Sequence, residues 1–242
     1  MSLLTNIVSY YKVDESSGNA SDSTAQANTL TNNGTVTYNT GKINNGAYFS
    51  GASTMYFSRA NDTDFSGLQA SSDMSISCWA YFTTGSPSSG TFYSLFSQED
   101  STGAGTPAWN IGYGNEGGTL RFQLVNSNGG SNQVSARINQ TLTSATWYHI
   151  VFLYTHSSGV NQIYVNGTSI GTATNNTTVK TGDGNFQIGK SVGFSNTMDG
   201  RLDEIGVWNR VLTSGEISSL YNSGTGLSYP FGLLNSNFLA FM

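Results

Sequence analysis

The stretch Gln98-Glu99-Asp100-Ser101-Thr102-Gly103-Ala104-Gly105-Thr106-Pro107-Ala108-Trp109 joins a long loop, two acids and an indole, and Asn110, Tyr113 and Glu116 follow within seven residues. Asp100, Trp109, Asn110, Tyr113 and Glu116 have the makings of a sugar site. A pyranose offers an apolar face, which an aromatic ring covers, and an edge of hydroxyls, which amides and carboxylates bind. The alternative for Trp109 is a plain core residue beneath a solvated loop. In Leu202-Asp203-Glu204-Ile205-Gly206-Val207, Asp203 alternates in phase with Ile205 and Val207, which points it at the core. A carboxylate there needs a compensating partner: an arginine, backbone amides or Ca²⁺.

Catalytic constellations are thin. His149, inside Trp147-Tyr148-His149-Ile150-Val151, reads as a packed sheet histidine, and His156 lies in a polar turn. Neither adjoins a Gly-x-Ser-x-Gly motif. Asp203 and Glu204 are adjacent, which turns them to opposite faces of a strand. The close pairs Asp62/Asp64 and Glu99/Asp100 sit in loop-like surroundings. Glycoside hydrolysis needs two carboxylates aimed at one bond, and no pair here meets that need. The expectation is a protein that is not an enzyme. Cys78 is the only cysteine, so no intrachain disulfide or thiolate metal cluster can form. Within Ser75-Ile76-Ser77-Cys78-Trp79 it reads as a small packed thiol.

The elements that hold these residues are short alternating segments separated by Gly, Asn and Ser, the pattern of a two-sheet antiparallel sandwich. Ala47-Tyr48-Phe49 and Met55-Tyr56-Phe57 flank Ser50 to Thr54 as a hairpin-like unit. Residues 109–113 and 120–124 flank Gly117-Gly118 as a second. Gln162 to Val165 runs into Asn166-Gly167, the dipeptide that accepts positive φ at both centres of a type I′ turn. Trp147 to Tyr154 is apolar on both faces apart from His149, so it is covered on both sides or lines a groove. One helix is specified, about three turns long. Thr213-Ser214-Gly215-Glu216 is a capping box, Leu212 staples to Ile217, and Gly224 supplies the stop. A single domain runs over 3–231. The tail 232–242 is rich in Leu and Phe, and either lies back over the sheet or docks, with Phe231, into a neighbouring subunit.

Composition narrows the classes further. The chain has 242 residues with 14 acidic and 9 basic side chains, and charged residues make up 10%. Disorder needs few aromatics and high charge, whereas aromatics reach 12% here. No apolar run reaches the ~18 residues of a membrane span. A sequence pI of 4.8, without a Lys/Arg cluster, excludes a nucleic-acid partner. The opening residues lack the basic lead of a signal peptide, while the charge-poor Asn/Thr/Ser/Gly surface suits an extracellular or virion setting.

The sequence resembles the laminin-G-like branch of the concanavalin A-type jelly rolls. The resemblance begins at Val8 to Asn19 and at the turn from Asp22 to Asn28, and it continues through Gly41-Lys42 to Phe49, Ile76 to Trp79, Trp147 to Val151 and Ile163 to Gly167. Its most specific part is Met198-Asp199-Gly200-Arg201-Leu202-Asp203-Glu204-Ile205-Gly206-Val207-Trp208-Asn209-Arg210. One departure is Phe49-Ser50-Gly51, where the family often has an acid after the Phe. The resemblance implies a jelly-roll sandwich with loops at its rim and a role in sugar binding, adhesion or spacing. It also implies a structural Ca²⁺ that ties the first loop to the last strand and would gather Asp22, Asn28 and Asp203. The function expected is non-catalytic recognition of a glycan or cell-surface polysaccharide at an outer surface. The alternative is a decoration, fibre or spacer subunit of a larger assembly, such as a phage particle, built through the tail 231–242.

Overall fold

The computed structural model describes residues 2–61, 63–65, 68, 72–99, 107–127, 133–174, 184–191 and 197–232. In chain order the strands are β1 (Ile7–Tyr11), β2 (Thr31–Asn33), β3 (Thr37–Thr40), β4 (Asn45–Ser50) and β5 (Tyr56–Arg59). Next come β6 (Met74–Phe82), β7 (Phe92–Glu99), β8 (Pro107–Glu116), β9 (Thr119–Ser127) and β10 (Gln133–Asn139). The last are β11 (Trp147–Thr155), β12 (Val160–Val165), β13 (Thr168–Thr174), β14 (Phe186–Ile188) and β15 (Asp199–Trp208), followed by helix α1 (Ser214–Tyr221). They build two antiparallel sheets. One runs β13-β12-β11-β6-β15-β4-β3, with β1 added against β15, and the other runs β10-β9-β8-β7-β14-β5-β2. The expected sandwich is the observed fold.

Alternation decides which side chains meet between the sheets. Ile76, Cys78, Ala80 and Phe82 of β6 and Ile150 and Phe152 of β11 share one core with Trp109, Ile111 and Tyr113 of β8 and with Phe122 of β9. Phe122 and Phe152 meet across it edge to face, with centroids 5.6 Å apart. The opposite face of β11 is covered too, together with β1 and the end of β15. Val151, Leu153, Trp208 and Tyr10 form a second cluster with Leu212, Ile217, Leu220 and Phe231. This is why β11 reads as apolar on both faces. Each large side chain buried this way contributes about 1.5–3 kcal/mol.

The helix carries the expected capping box. Thr213 Oγ1 accepts from the Glu216 amide, and the Glu216 carboxylate accepts from the Thr213 amide. It spans eight residues, two turns rather than three, because Asn222 takes a left-handed φ of 47° and a 3₁₀ turn over Asn222–Gly224 completes the segment. Arg210 grips Glu216 through both terminal nitrogens at 2.8 and 2.7 Å and donates to Thr5 and Ser2 carbonyls, tying the N-terminus to the helix. The hairpins β8–β9 and β12–β13 form as expected, the latter with positive φ at Asn166 and Gly167.

The third expected hairpin does not form. β4 pairs with β15 and β3 in one sheet, while β5 pairs with β14 and β2 in the other. The link 51–55 therefore crosses the sandwich. Its two aromatics meet in the core, Phe49 and Phe57 edge to face at 5.8 Å. A local pattern of strand, turn and strand is the same for a hairpin and for a crossing between sheets. The tail expectation for 231–242 is met by structure only at Phe231, which packs against Tyr10 and Trp208, and Gly232; residues 233–242 lie outside the described part.

Candidate functional site

Strand β8 separates the residues expected to share a sugar site. Trp109 faces the core and is 0% exposed, with its indole Nε1 donating to Gln98 Oε1 at 3.1 Å and its ring 6.1 Å from that of Phe186. It offers no ring face to a ligand, which corrects the platform expectation in favour of its alternative. Tyr113 also faces inward. Its hydroxyl donates to Gly85 O at 2.8 Å and accepts from the Leu142 amide, and burial pushes its pKa up to about 12. Two residues of period separate both from Asn110, which points to the outer side of the seven-stranded sheet. Glu116, exposed at the end of β8, is held by Arg137 through Nε and Nη2 at 2.9 and 3.0 Å, with Arg121 at 3.6 Å. Asp100 lies outside the described residues. The five residues are thus not one constellation.

The outer side of that sheet carries a polar row that spacing along the chain does not reveal. Register aligns Val125, Asn110, Ser97, Gln187 and Ser58 across five strands. Asn110 Nδ2 donates to Ser94 Oγ, Ser97 Oγ to Lys190 O, and Gln187 Nε2 to Glu99 Oε1. Asn110 Oδ1 and Gln187 Oε1 have no partner, although both are buried. Beside them the Phe92 ring lies over Gly112 and Gly114. A Cβ at Gly112 would stand 2.6 Å from that ring. Asn110 Oδ1 and Gln187 Oε1 are both closed off from a ligand as placed. It holds no proton-transfer pair and no nucleophile. Gln187 sits in a three-residue strand, and only the register links it to Asn110.

The acids meant for Ca²⁺ are engaged otherwise. Asp22 Oδ1 accepts from the Tyr10 and Thr24 amides, and Oδ2 from Thr24 Oγ1 and the Asn28 amide, all at 2.9 Å. Asn28 Nδ2 donates to Val8 O and Asp64 Oδ2, which leaves its Oδ1 without a partner. Asp203 belongs to a different contact set. Its Oδ2 accepts from the Lys42 and Ile43 amides at 2.7 and 2.8 Å, and its Oδ1 from the Glu204 amide at 2.7 Å. Ca²⁺ needs six to eight oxygens turned toward it. Four of the five acceptor oxygens on Asp22, Asn28 and Asp203 already face N–H or O–H donors, so these residues as placed do not fit the ion. Among the described residues no three His, Cys, Asp or Glu side chains gather as a metal site.

A bulge explains why alternation misplaces Asp203. Trp79 lies opposite Asp203 and Ser77 opposite Gly206, so β15 uses one residue more than β6 over the same span, and Glu204 takes a φ of 49°. Leu202 and Ile205 both reach the core, while Asp203 turns to the outer side of the eight-stranded sheet. Glu204 turns outward as well, where its Oε2 accepts the Tyr10 hydroxyl at 2.6 Å. The two acids therefore do not face opposite ways. Burial pushes Asp203 up to about 8, opposed by its amide donors, and burial raises Glu204 in the same direction. Both are bound to the protein's own groups. His149, 1% exposed, meets Ser77 Oγ at 2.9 Å and packs in a three-ring cluster with Trp79 and Tyr221. Burial lowers its pKa to about 3, and Nδ1 has no partner to orient the ring. A serine and histidine so buried, without an acid, lack the parts and the access of a nucleophilic pair. Cys78 is buried, and that burial pushes its thiol pKa up, which makes it inert.

Comparison with known proteins completes the description. The family model of the concanavalin A-like lectin/glucanases superfamily matches residues 49–218. A search of curated proteins finds no match. Among solved structures, the chain is similar to domain 4 of AbnA, an extracellular arabinanase from Geobacillus stearothermophilus, in complex with arabinotriose. The TM-score is 0.65 at 22% identity, over 88% of this chain and 97% of that one. It is also similar to the binding domain of Paraclostridial Mosquitocidal Protein 1, with TM-score 0.65 and 18% identity over 90% of this chain and 52% of that one. The binding domain of Botulinum neurotoxin DC in complex with rat synaptotagmin II gives 0.67 and 13%, over 92% and 52%. The chain spans about half of each toxin domain. At these identities the likeness is one of fold.

Proposed function

The chain belongs to the concanavalin A-like lectin/glucanases superfamily, and from that premise we propose that it is a non-catalytic binding module, directed at carbohydrate and displayed at an outer surface. The observation that carries the reading is the commitment of its interior reagents. Asp203 holds three amides, Glu204 holds Tyr10, Glu216 holds Arg210, and His149 is kept neutral beneath the helix. Nothing in that set is free to move a proton at a bound substrate. Recognition is what remains for such a sandwich, through uncharged hydroxyls and amides at its rim. The arabinotriose bound to the arabinanase domain supports carbohydrate as the ligand class by analogy of fold.

A glycan array probed with the labelled chain, followed by titration calorimetry on its hits, tests this. Binding with a dissociation constant of roughly micromolar to millimolar is expected. An array without a hit, or release of reducing ends from a bound polysaccharide, contradicts it.

A further inference from the structure

The first loop and the link between β2 and β3 enclose an open groove of about 390 Å³, lined by Ser16, Ser17, Asn19, Thr35, Thr37 and Tyr38 among others. We infer that this groove is a subsite for a neutral sugar. The inference rests on the carbohydrate reading and goes beyond it by naming the place and the charge of the ligand. The groove is built by residues 16–38, outside the span that matches the family model.

Three observations carry it. The walls are fastened to each other chiefly by Asn32, with Tyr38 as a second tie. Asn32 Nδ2 donates to Gly18 O at 2.7 Å and to Val36 O at 2.8 Å, its Oδ1 accepts the Val36 amide, and its own amide donates to Asn19 Oδ1. A groove held open in this way loses little freedom when a ligand enters. The lining also has the two surfaces a sugar needs. Tyr38 is half-buried, its hydroxyl pinned to Gly18 O at 3.0 Å and its ring 6.2 Å from that of Phe57, while exposed hydroxyls of Ser16, Ser17, Thr35 and Thr37 surround it. No charged side chain lines the groove. An anionic sugar would want a cation there and would instead meet the Glu15 carboxylate near Tyr38, so the ligand carries no negative charge.

The third observation is strain. Thr35 is β-branched, exposed, and held at a φ of 63°, a region that such residues rarely adopt. Gly34 before it cannot be replaced to relax the turn, because a Cβ would stand 1.9 Å from the Thr54 carbonyl oxygen. Glycine would suit position 35 better on backbone grounds alone. Its hydroxyl donates to Gly34 O at 2.6 Å, which leaves its lone pairs at the mouth of the groove to accept a hydrogen bond from a sugar hydroxyl.

The test is amide chemical-shift mapping of the ¹⁵N-labelled full chain, titrated with arabinotriose, maltotriose and cellotriose, and with sialyllactose as the anionic arm. A saturable shift of amides 16–19 and 34–38 with at least one neutral trisaccharide is expected. Tyr38→Ala should weaken that binding about tenfold, the size of one aromatic contact. Thr35→Gly should weaken it severalfold while the protein melts at the same or a higher temperature, which a purely structural threonine would not do. Shifts that map to the β8 face and spare the groove overturn the subsite and leave carbohydrate recognition standing. Saturation with sialyllactose alone overturns its neutrality. No saturable shift with any of the four, on a protein that also scores no array hit, overturns both readings.

Discussion

Trp109 is clamped by Gln98 at its nitrogen and by Phe186 at its ring, and its removal would open the centre of the sandwich. Trp109→Ala should cost about 3–5 kcal/mol, read as a lower denaturant midpoint. Trp109→Phe should keep the fold and leave sugar affinity unchanged, and a loss of affinity in that folded variant would restore the indole to the binding site. Asp203 acts in the same structural sense. Asp203→Ala leaves the Lys42, Ile43 and Glu204 amides without their acceptor, at about 1–3 kcal/mol for each one that water does not reach. If these amide donors suffice to compensate the carboxylate, addition of EDTA should leave the melting temperature of the parent protein unchanged. A fall of several degrees would show that a cation takes part.

Glu216 on α1 and His149 on β11 each weaken the fold as the pH falls. Asp203 has the opposite trend: its raised pKa favours the fold at lower pH, and that contribution is lost as the pH rises toward about 8. Glu216 at the start of α1 is raised by burial but lowered more by Arg210 and Thr213, to about 2 against an ordinary 4.5. Its contribution is present above about pH 4.5 and is lost as the pH falls toward 2. His149 on β11 is lowered by burial to about 3 against 6.5, so each step below pH 6.5 favours the unfolded chain, where the ring can charge. Urea melts should show the parent's advantage over Glu216→Gln shrinking between pH 4.5 and 2. His149→Gln should lose less stability than the parent between pH 6.5 and 3, and parallel curves over that range would contradict the account. Both elements were legible in the sequence, since capping residues and the two-sided apolar strand are local signals. The bulge at Glu204 was not. It adds one residue without any mark in Leu202 to Val207, and it moves Asp203 from the core side to the outer side. The crossing at 51–55 escaped for a related reason, because partners in different sheets leave the same local pattern as partners in a hairpin.

For the molecule as a whole, two sheets packed on one core and a helix closing the outer face make a rigid body whose interior is spent on structure. The sandwich was legible because period-two alternation recurs along most of the chain. The expected sugar constellation was not, since four of its residues share β8, whose own alternation sends Trp109 and Tyr113 inward and Asn110 outward and leaves Glu116 at the strand's exposed end. The groove at Tyr38 escaped because its walls, 16–19 and 32–38, come together through contacts of Asn32 and Tyr38 that no local sequence pattern marks. Recognition without chemistry is therefore the central claim. Its most direct test is to incubate an array-selected oligosaccharide with a stoichiometric amount of the chain for a day, measuring occupancy and reducing ends in the same sample. The account predicts saturation with the oligosaccharide recovered intact. Reducing ends that accumulate in proportion to protein, and vanish when the protein is heat-denatured, would contradict it.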